Sequence, residues 1–122
     1  MSNHPIVYVE ISANDREAAS MFYSDLFDWN IQQMPEMNYA TFDYGVEGGG
    51  GGLSPVGENN PAGTVVVYVE TDDINASLAQ AEKLGGKIVT QKTEIPGMGW
   101  FGIFTDPTGN PIGLFTAMQN QS

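Results

Sequence analysis

Two stretches of the chain repeat one pattern of apolar and polar positions. In Ile6–Ser12, Val7, Val9 and Ile11 alternate with Tyr8, Glu10 and Ser12. In Val65–Glu70, Val65, Val67 and Val69 alternate with Val66, Tyr68 and Glu70. Side chains on a strand point alternately to opposite faces, so each stretch reads as a strand with one aliphatic and one mixed face. After each comes an acidic turn, then apolar residues at helical spacing: Ala19, Phe22 and Leu26 in the first copy, Ile74, Leu78, Ala81 and Leu84 in the second. These should face the sheet. Asn14 or Asp15, and Asp72 or Asp73, stand where an N-cap accepts from unpaired helix N–H groups. Glu17 favours the positive end of the first helix, and Gly85-Gly86 supplies a left-handed stop for the second. Aligning Asp73 with Asp15 sets an offset of 73 − 15 = 58 residues, which lays Val67-Tyr68-Val69 on Val9-Glu10-Ile11 and Leu84 on Leu26. A repeated strand–turn–helix unit predicts two modules that bury their apolar faces together.

The remaining pattern completes each module. The first helix runs to about Phe27; strands are predicted over Trp29–Met34 and Tyr39–Tyr44, joined by Pro35–Asn38, with a short strand ending at Leu53. Ser54–Gly63 is rich in turn formers and reads as a linker. In the second module, strands are predicted over Lys87–Gln91, Trp100–Thr105 and Pro111–Thr116, with a loop at Glu94–Gly99. Asp106-Pro107-Thr108-Gly109-Asn110 is a turn in which proline fixes one dihedral and glycine supplies a positive one. Each module is therefore βαβββ, about 5–53 and 64–118, in one domain over 1–122. The run Gly48–Gly52 lacks the Gly-Lys-Ser/Thr ending of a phosphate loop. It reads either as a hinge or as a place where backbone or ligand approaches closely.

Composition narrows the class. At 122 residues and 41% apolar, one domain of this size buries roughly 65% of its unfolded surface. There is no cysteine, hence no disulfide frame, zinc-thiolate site or thiol nucleophile. No apolar run of ~18 residues and no charged-then-apolar leader is present, so the expectation is a soluble, cytoplasmic protein with no membrane partner. Fifteen acids oppose four bases (Arg16, Lys83, Lys87 and Lys92) for a net charge of −11. A field of that sign repels phosphate backbones, and no nucleic-acid partner is expected. The acids form either a solvated surface or a pocket field that favours cationic or neutral ligands.

The candidate chemistry sits on the mixed faces. Tyr8, Glu10, Tyr68 and Glu70 form either a solvated side, as on many antiparallel sheets, or a partly wet pocket shared by the two modules. Gly113 and Phe115 alternate with Ile112 and Leu114 and join that face, Gly113 leaving room in its middle. Glu10 is the candidate catalytic residue, a general base if desolvation raises its pKa; the alternative is a structural hydrogen bond to a neighbour such as Tyr68. No G-x-S-x-G is present, and the single histidine, His4, is terminal. Aromatic faces beside carboxylates suit flat or cationic organic ligands.

The strand ending at Asp15, Phe22-Tyr23, Phe27-Asp28-Trp29, Asp72-Asp73, Gly85-Gly86-Lys87 and the Asp106–Asn110 turn together resemble the vicinal oxygen chelate superfamily of glyoxalases, bleomycin-resistance proteins and extradiol dioxygenases. The resemblance covers nearly the whole chain. It implies an α+β fold of two βαβββ modules, a curved mixed sheet around a concave pocket, usually in a homodimer. It adds Met98 and Trp100 to the pocket border, and the family position of Val66. The implied ligand-binding set is Tyr8, Glu10, Val66, Tyr68, Glu70, Met98, Trp100, Gly113 and Phe115.

Metal-dependent members place His or Gln seven residues before the capping Asp, here Tyr8 and Val66. They place Glu seven residues after the Asp of the turn, here Gly113. The matching place in the first module lies in or near the glycine run. None is a usual ligand for a divalent ion, so no cofactor is expected. The resulting expectation is a metal-free small-molecule binding protein with a cationic or aromatic ligand. The alternatives are a metal-dependent lyase or dioxygenase of glyoxalase type, and an accessory interaction subunit.

Overall fold

The alternating valines and isoleucines form their strands; Ile11 joins the core of the first half and Val69 that of the second, whereas Val65, expected on the same aliphatic face, is 54% exposed. These elements come from a computed structural model that describes residues 4–43, 50–57 and 61–118. The chain divides into two units, Val7–Val67 and Tyr68–Ser122 with Met1–Ile6. The boundary falls within the strand Val65–Glu70 and one residue into the strand Ile6–Ala13, and each strand is grouped with the module it completes. The fold class is α+β, with eight strands and two α-helices among the described residues.

In the first unit, β1 (Ile6–Ala13) leads to α1 (Arg16–Phe27), β2 (Asn30–Met34), β3 (Tyr39–Asp43) and β4 (Gly51–Pro55). The strand order is β2-β3-β4-β1, with β1 and β4 parallel and the other pairs antiparallel. Asp15 caps α1 by accepting from Ala18 N at 3.0 Å, and Asp28 closes it in the left-handed conformation. Ala40, Phe42 and Leu53 form the core, joined by Ile11, Ala13, Ala19, Tyr23, Trp29 and Ile31. Trp29 stacks on Phe42 with ring centroids 4.7 Å apart.

Two expectations change here. Ala19 faces the sheet, but Phe22 and Leu26 are each 59% exposed, and Tyr23 takes the inward position. A polar seam sets the helix rotation. Arg16 donates from Nε to Gln33 Oε1 (2.7 Å) and from Nη1 to Asn38 Oδ1 (2.8 Å), while Gln33 Nε2 donates to Ser20 Oγ (2.7 Å). Arg16, Ser20 and Tyr23 recur at helical spacing, so fixing two of them inward turns Phe22 and Leu26 outward. In addition, β4 continues past Leu53, because Ser54 and Pro55 pair with Ser12 and Ala13. The predicted linker therefore begins after Pro55. Gly48 and Gly49 lie outside the described residues, as does Tyr44.

The second unit repeats the plan with β5 (Val65–Glu70), α2 (Ile74–Lys83), β6 (Lys87–Ile95), β7 (Gly99–Thr105) and β8 (Pro111–Ala117). The order is β5-β8-β7-β6, β5 and β8 parallel. Asp73 caps α2 through Ala76 N, and Gly85, at φ 108°, ends it as expected. Ile74, Leu78 and Leu114 form the core, with Val69, Ile88, Trp100 and Phe104 packed on it. Leu84 sits beyond the last helical turn and is exposed. Asp106 Oδ1 accepts from the backbone N–H groups of Thr108, Gly109 and Asn110. Those bonds, the one from Asn110 foremost, lower its pKa. The strand predicted to stop at Gln91 runs on to Ile95, with register shifts between Ile88 and Thr90 and between Thr90 and Thr93. No described helix is long and apolar enough to cross a membrane.

Candidate functional site

With Ala40, Phe42 and Leu53 turned toward α1, alternation puts Tyr39, Thr41 and Gly52 on the opposite, helix-free face of the first unit. Tyr8 and Glu10 of β1 share that face. There the structure builds a hydrogen-bonded chain: Tyr39 Oη donates to Glu10 Oε2 at 3.0 Å, and Tyr8 Oη is bonded to Tyr39 Oη. The one hydroxyl proton of Tyr39 is committed to the carboxylate, so Tyr8 is the donor in the second bond. Both phenols are held neutral. Burial pushes the Tyr8 hydroxyl up, against the opposing effect of the bond to Tyr39 and with a smaller push from Glu10. Burial, then the charge of Glu10, pushes Tyr39 well above the usual phenol range.

The floor of this chain is Gly52. A Cβ there would lie 2.5 Å from Tyr8 Oη and closer still to Tyr39 Oη, inside any allowed contact. The second unit repeats the device. Gly113 is the register partner of Tyr68 on β5, as Gly52 is of Glu10 on β1. A Cβ on Gly113 would meet the Tyr68 ring, with Cγ at 2.8 Å. At the 58-residue offset Glu10 matches Tyr68, so Gly52 and Gly113 occupy equivalent places. Of the two readings of the glycine run, close approach describes Gly50–Gly52: the last two are buried, and a Cβ on Gly51 would collide with Val9 O.

These places matter for a metal. The resemblance sets a glutamate at the position of Gly113, and Gly52 is its equivalent in the first unit. A carboxylate at either position would have to enter space that tyrosines fill. Tyr8 and Val66 stand at the histidine positions, and no cluster of three or more His, Cys, Asp or Glu suited to a metal occurs among the described residues. Among the described residues, the donor set does not fit a divalent ion.

The predicted residues separate. Tyr8 and Glu10 come together, with Tyr39 as a member that sequence reading missed. The signal for it was present: Tyr39 is out of phase with Ala40 and Phe42 in β3, as Tyr8 is with Val9. In the second unit, Tyr68 and Gly113 are in contact, and Glu70 is the register partner of Phe115 on the same face. Val66, on that face of β5, is buried. Trp100 differs from expectation. It packs with Ile74 and Leu114 on the helix-bearing face, because Trp100, Gly102 and Phe104 share one phase of β7, and Gly102 lies under Ile74 and Leu78. Met98 is 57% exposed at the tip of the β6–β7 turn. His4 is exposed, its Nδ1–H donating to Glu70 O at 3.0 Å.

Two βαβββ units, each a four-stranded sheet backed by one helix, are the architecture of vicinal oxygen chelate proteins. The sequence profile of the glyoxalase-like domain family matches residues 8–115, and the chain belongs to that family. It is 31% identical, over 88% of its length and 90% of the relative, to a glyoxylase-like domain-containing protein of Didymella fabae. It is 27% identical over 90% of its length to CFP32 of Mycobacterium bovis, provisionally named a glyoxylase. The chain spans less than half of that protein, 44%. Among solved structures, it resembles a glyoxalase/bleomycin resistance protein/dioxygenase superfamily member from Vibrio splendidus 12B01. The TM-score is 0.68 at 12% identity, covering 93% of this chain and 99% of that one. At that identity the likeness is one of fold.

Proposed function

We propose that this is a metal-independent small-molecule binding protein whose ligand is a cationic or aromatic compound held over the Tyr8–Tyr39–Glu10 chain. The observation that supports the reading is Gly52 beneath two neutral phenols, where metal-dependent relatives need a ligand side chain. With its proton given to Tyr39, Tyr8 Oη has no proton to offer a ligand, and the charge of Glu10 lies close enough to act on both phenols. Both favour a ligand that brings N–H donors and positive charge. The net charge of −11 raises the local concentration of such ligands. A homodimer belongs to the same reading. It is supported by Met21, Phe22 and Leu26, which leave 59–65% of their surface exposed on α1, since clustered exposed apolar residues mark contact surfaces.

The test is a thermal-shift screen of several hundred cationic and aromatic compounds, repeated with chelator and with Tyr39→Phe. The expected result is stabilisation by a subset of cations, unaffected by chelator and weakened in Tyr39→Phe. No stabilising compound at all, or binders indifferent to Tyr39→Phe and Tyr8→Phe, would overturn the reading.

A further inference from the structure

We infer that the helix-bearing face of the second unit carries a separate site, a subsite for a small organic cation of the methylated-ammonium type, on the face of Trp100. A cleft of about 470 Å³ opens there, lined by Asp72, Ile74, Lys92, Trp100, Thr116 and Met118 among others. The cleft is open on one side, so it would cover one face of a small ligand and leave the other in water.

The cleft has a fixed aromatic wall. Trp100 is packed on the core of Ile74, Leu78 and Leu114, so its ring does not need ordering when a ligand arrives. The outer face of the ring is already occupied by a cation, the ammonium of Lys92, 5.2 Å from the ring centroid. This contact is a product of β6 geometry. Thr90 pairs with Ile103 and Thr93 with Phe101, so three steps along β6 match two along β7. The extra residue falls at Gln91–Lys92, where a bulge re-aims a side chain out of the ladder. Lys92 thereby acts as an internal stand-in for a ligand cation.

The surrounding charges select the sign. Asp72 is the one carboxylate lining the cleft, and Glu94, outside the lining, is the register partner of Trp100 on the neighbouring strand, so two carboxylates stand near the single ammonium of Lys92. Removal of that ammonium leaves an aromatic face beside two acids, an environment for a cation and a hostile one for an anion. Lys92 is exposed, and holding its long side chain over the ring forfeits rotamer freedom that a competing ligand returns. Met118 and Thr116 also line the cleft, and a thioether side chain is a soft, adaptable neighbour for N-methyl groups. The floor is held by Thr116 Oγ1 donating to Thr71 O at 2.6 Å. None of these residues belongs to the Tyr8–Tyr39–Glu10 chain, so the two sites fail or stand independently.

The test is a titration of the full chain with choline at low salt, read by the indole N–H resonance of Trp100, assigned with Trp100→Phe. The neutral isostere 3,3-dimethylbutanol and the anion benzoate serve as the other arms. The expected result is a saturable shift with choline alone. Lys92→Gln, a surface change that leaves the fold intact, should tighten choline binding about three- to tenfold by removing the competing cation. Asp72→Asn should weaken it, and Tyr8→Phe should leave it unchanged. Unchanged or weaker binding in Lys92→Gln, no saturable shift in that variant, or a shift with benzoate in place of choline overturns the proposal.

Discussion

Tyr39→Phe removes one oxygen atom and two hydrogen bonds. The bond to Glu10 Oε2 is charge-assisted, a class that contributes about 1.5–3 kcal/mol, and the bond from Tyr8 is neutral, about 1 kcal/mol. The gross loss is offset in part because the deleted hydroxyl no longer has to leave water and the site is only partly buried. A net destabilisation of about 1–2 kcal/mol is expected. For 122 residues the unfolding entropy near the midpoint is about 0.26 kcal/mol/K, so each kcal/mol lowers Tm by about 4 °C. The expected fall is about 4–8 °C at pH 7.

The alkaline limb adds a second readout. Tyr8 and Tyr39 have folded pKa values raised above the usual 10.0. Their contribution is complete below pH 10 and is lost as pH climbs from there toward the folded values, because the unfolded chain releases those protons first. Each contributes up to about 1.4 kcal/mol per pH unit to the downward slope. Urea melts at pH 9, 10 and 11 should show the decline in the native protein and about half of it in Tyr39→Phe. Melts of the two proteins that coincide at pH 7 and decline in parallel above pH 10 would refute the coupled chain.

Gly113→Ala drives a Cβ into the Tyr68 ring and should destabilise by about 1–3 kcal/mol in a denaturant melt. Gly109→Ala, with nothing within 4 Å but φ at 109°, should lose only the smaller strain of a turn glycine. Asp106→Ala removes the acceptor of three backbone N–H groups and should lower Tm at neutral pH. Because the folded pKa of Asp106 is lowered, that difference should shrink as pH falls below the ordinary carboxylate range. Phe22→Ser, on the exposed face of α1, should leave the monomer's stability within about 0.5 kcal/mol while reducing self-association in light scattering.

The modules were legible because burial of one strand face writes a period of two and burial of one helix face a period near 3.6. Val9, Ile11, Ile74 and Leu78 report those periods faithfully. The rotation of α1 was not legible, since Phe22 and Tyr23 are equally apolar by type. The choice was made by Arg16, Gln33 and Asn38, which are distant in sequence and meet only in the folded unit. The polar face was half visible. Tyr8 and Glu10 follow from alternation on one strand, whereas Tyr39 needed the pairing of β3 with β4 to bring it over Gly52. The place of Trp100 at the pocket border followed from the family resemblance alone; in the fold it shares a phase of β7 with Gly102, which admits Ile74 and Leu78 and carries no hydrophobic signal of its own. The bulges that place Lys92 have no local marker, since β6 around them reads as ordinary polar strand.

On the proposed reading, tyrosines and one glutamate take the place of an ion. The most direct measurement is elemental analysis of the natively purified chain, joined to melts with and without EDTA. Manganese, iron, nickel and zinc should each lie far below one atom per chain, and the melts should superimpose. One atom of any of them per chain, whose removal lowers Tm, would contradict that reading.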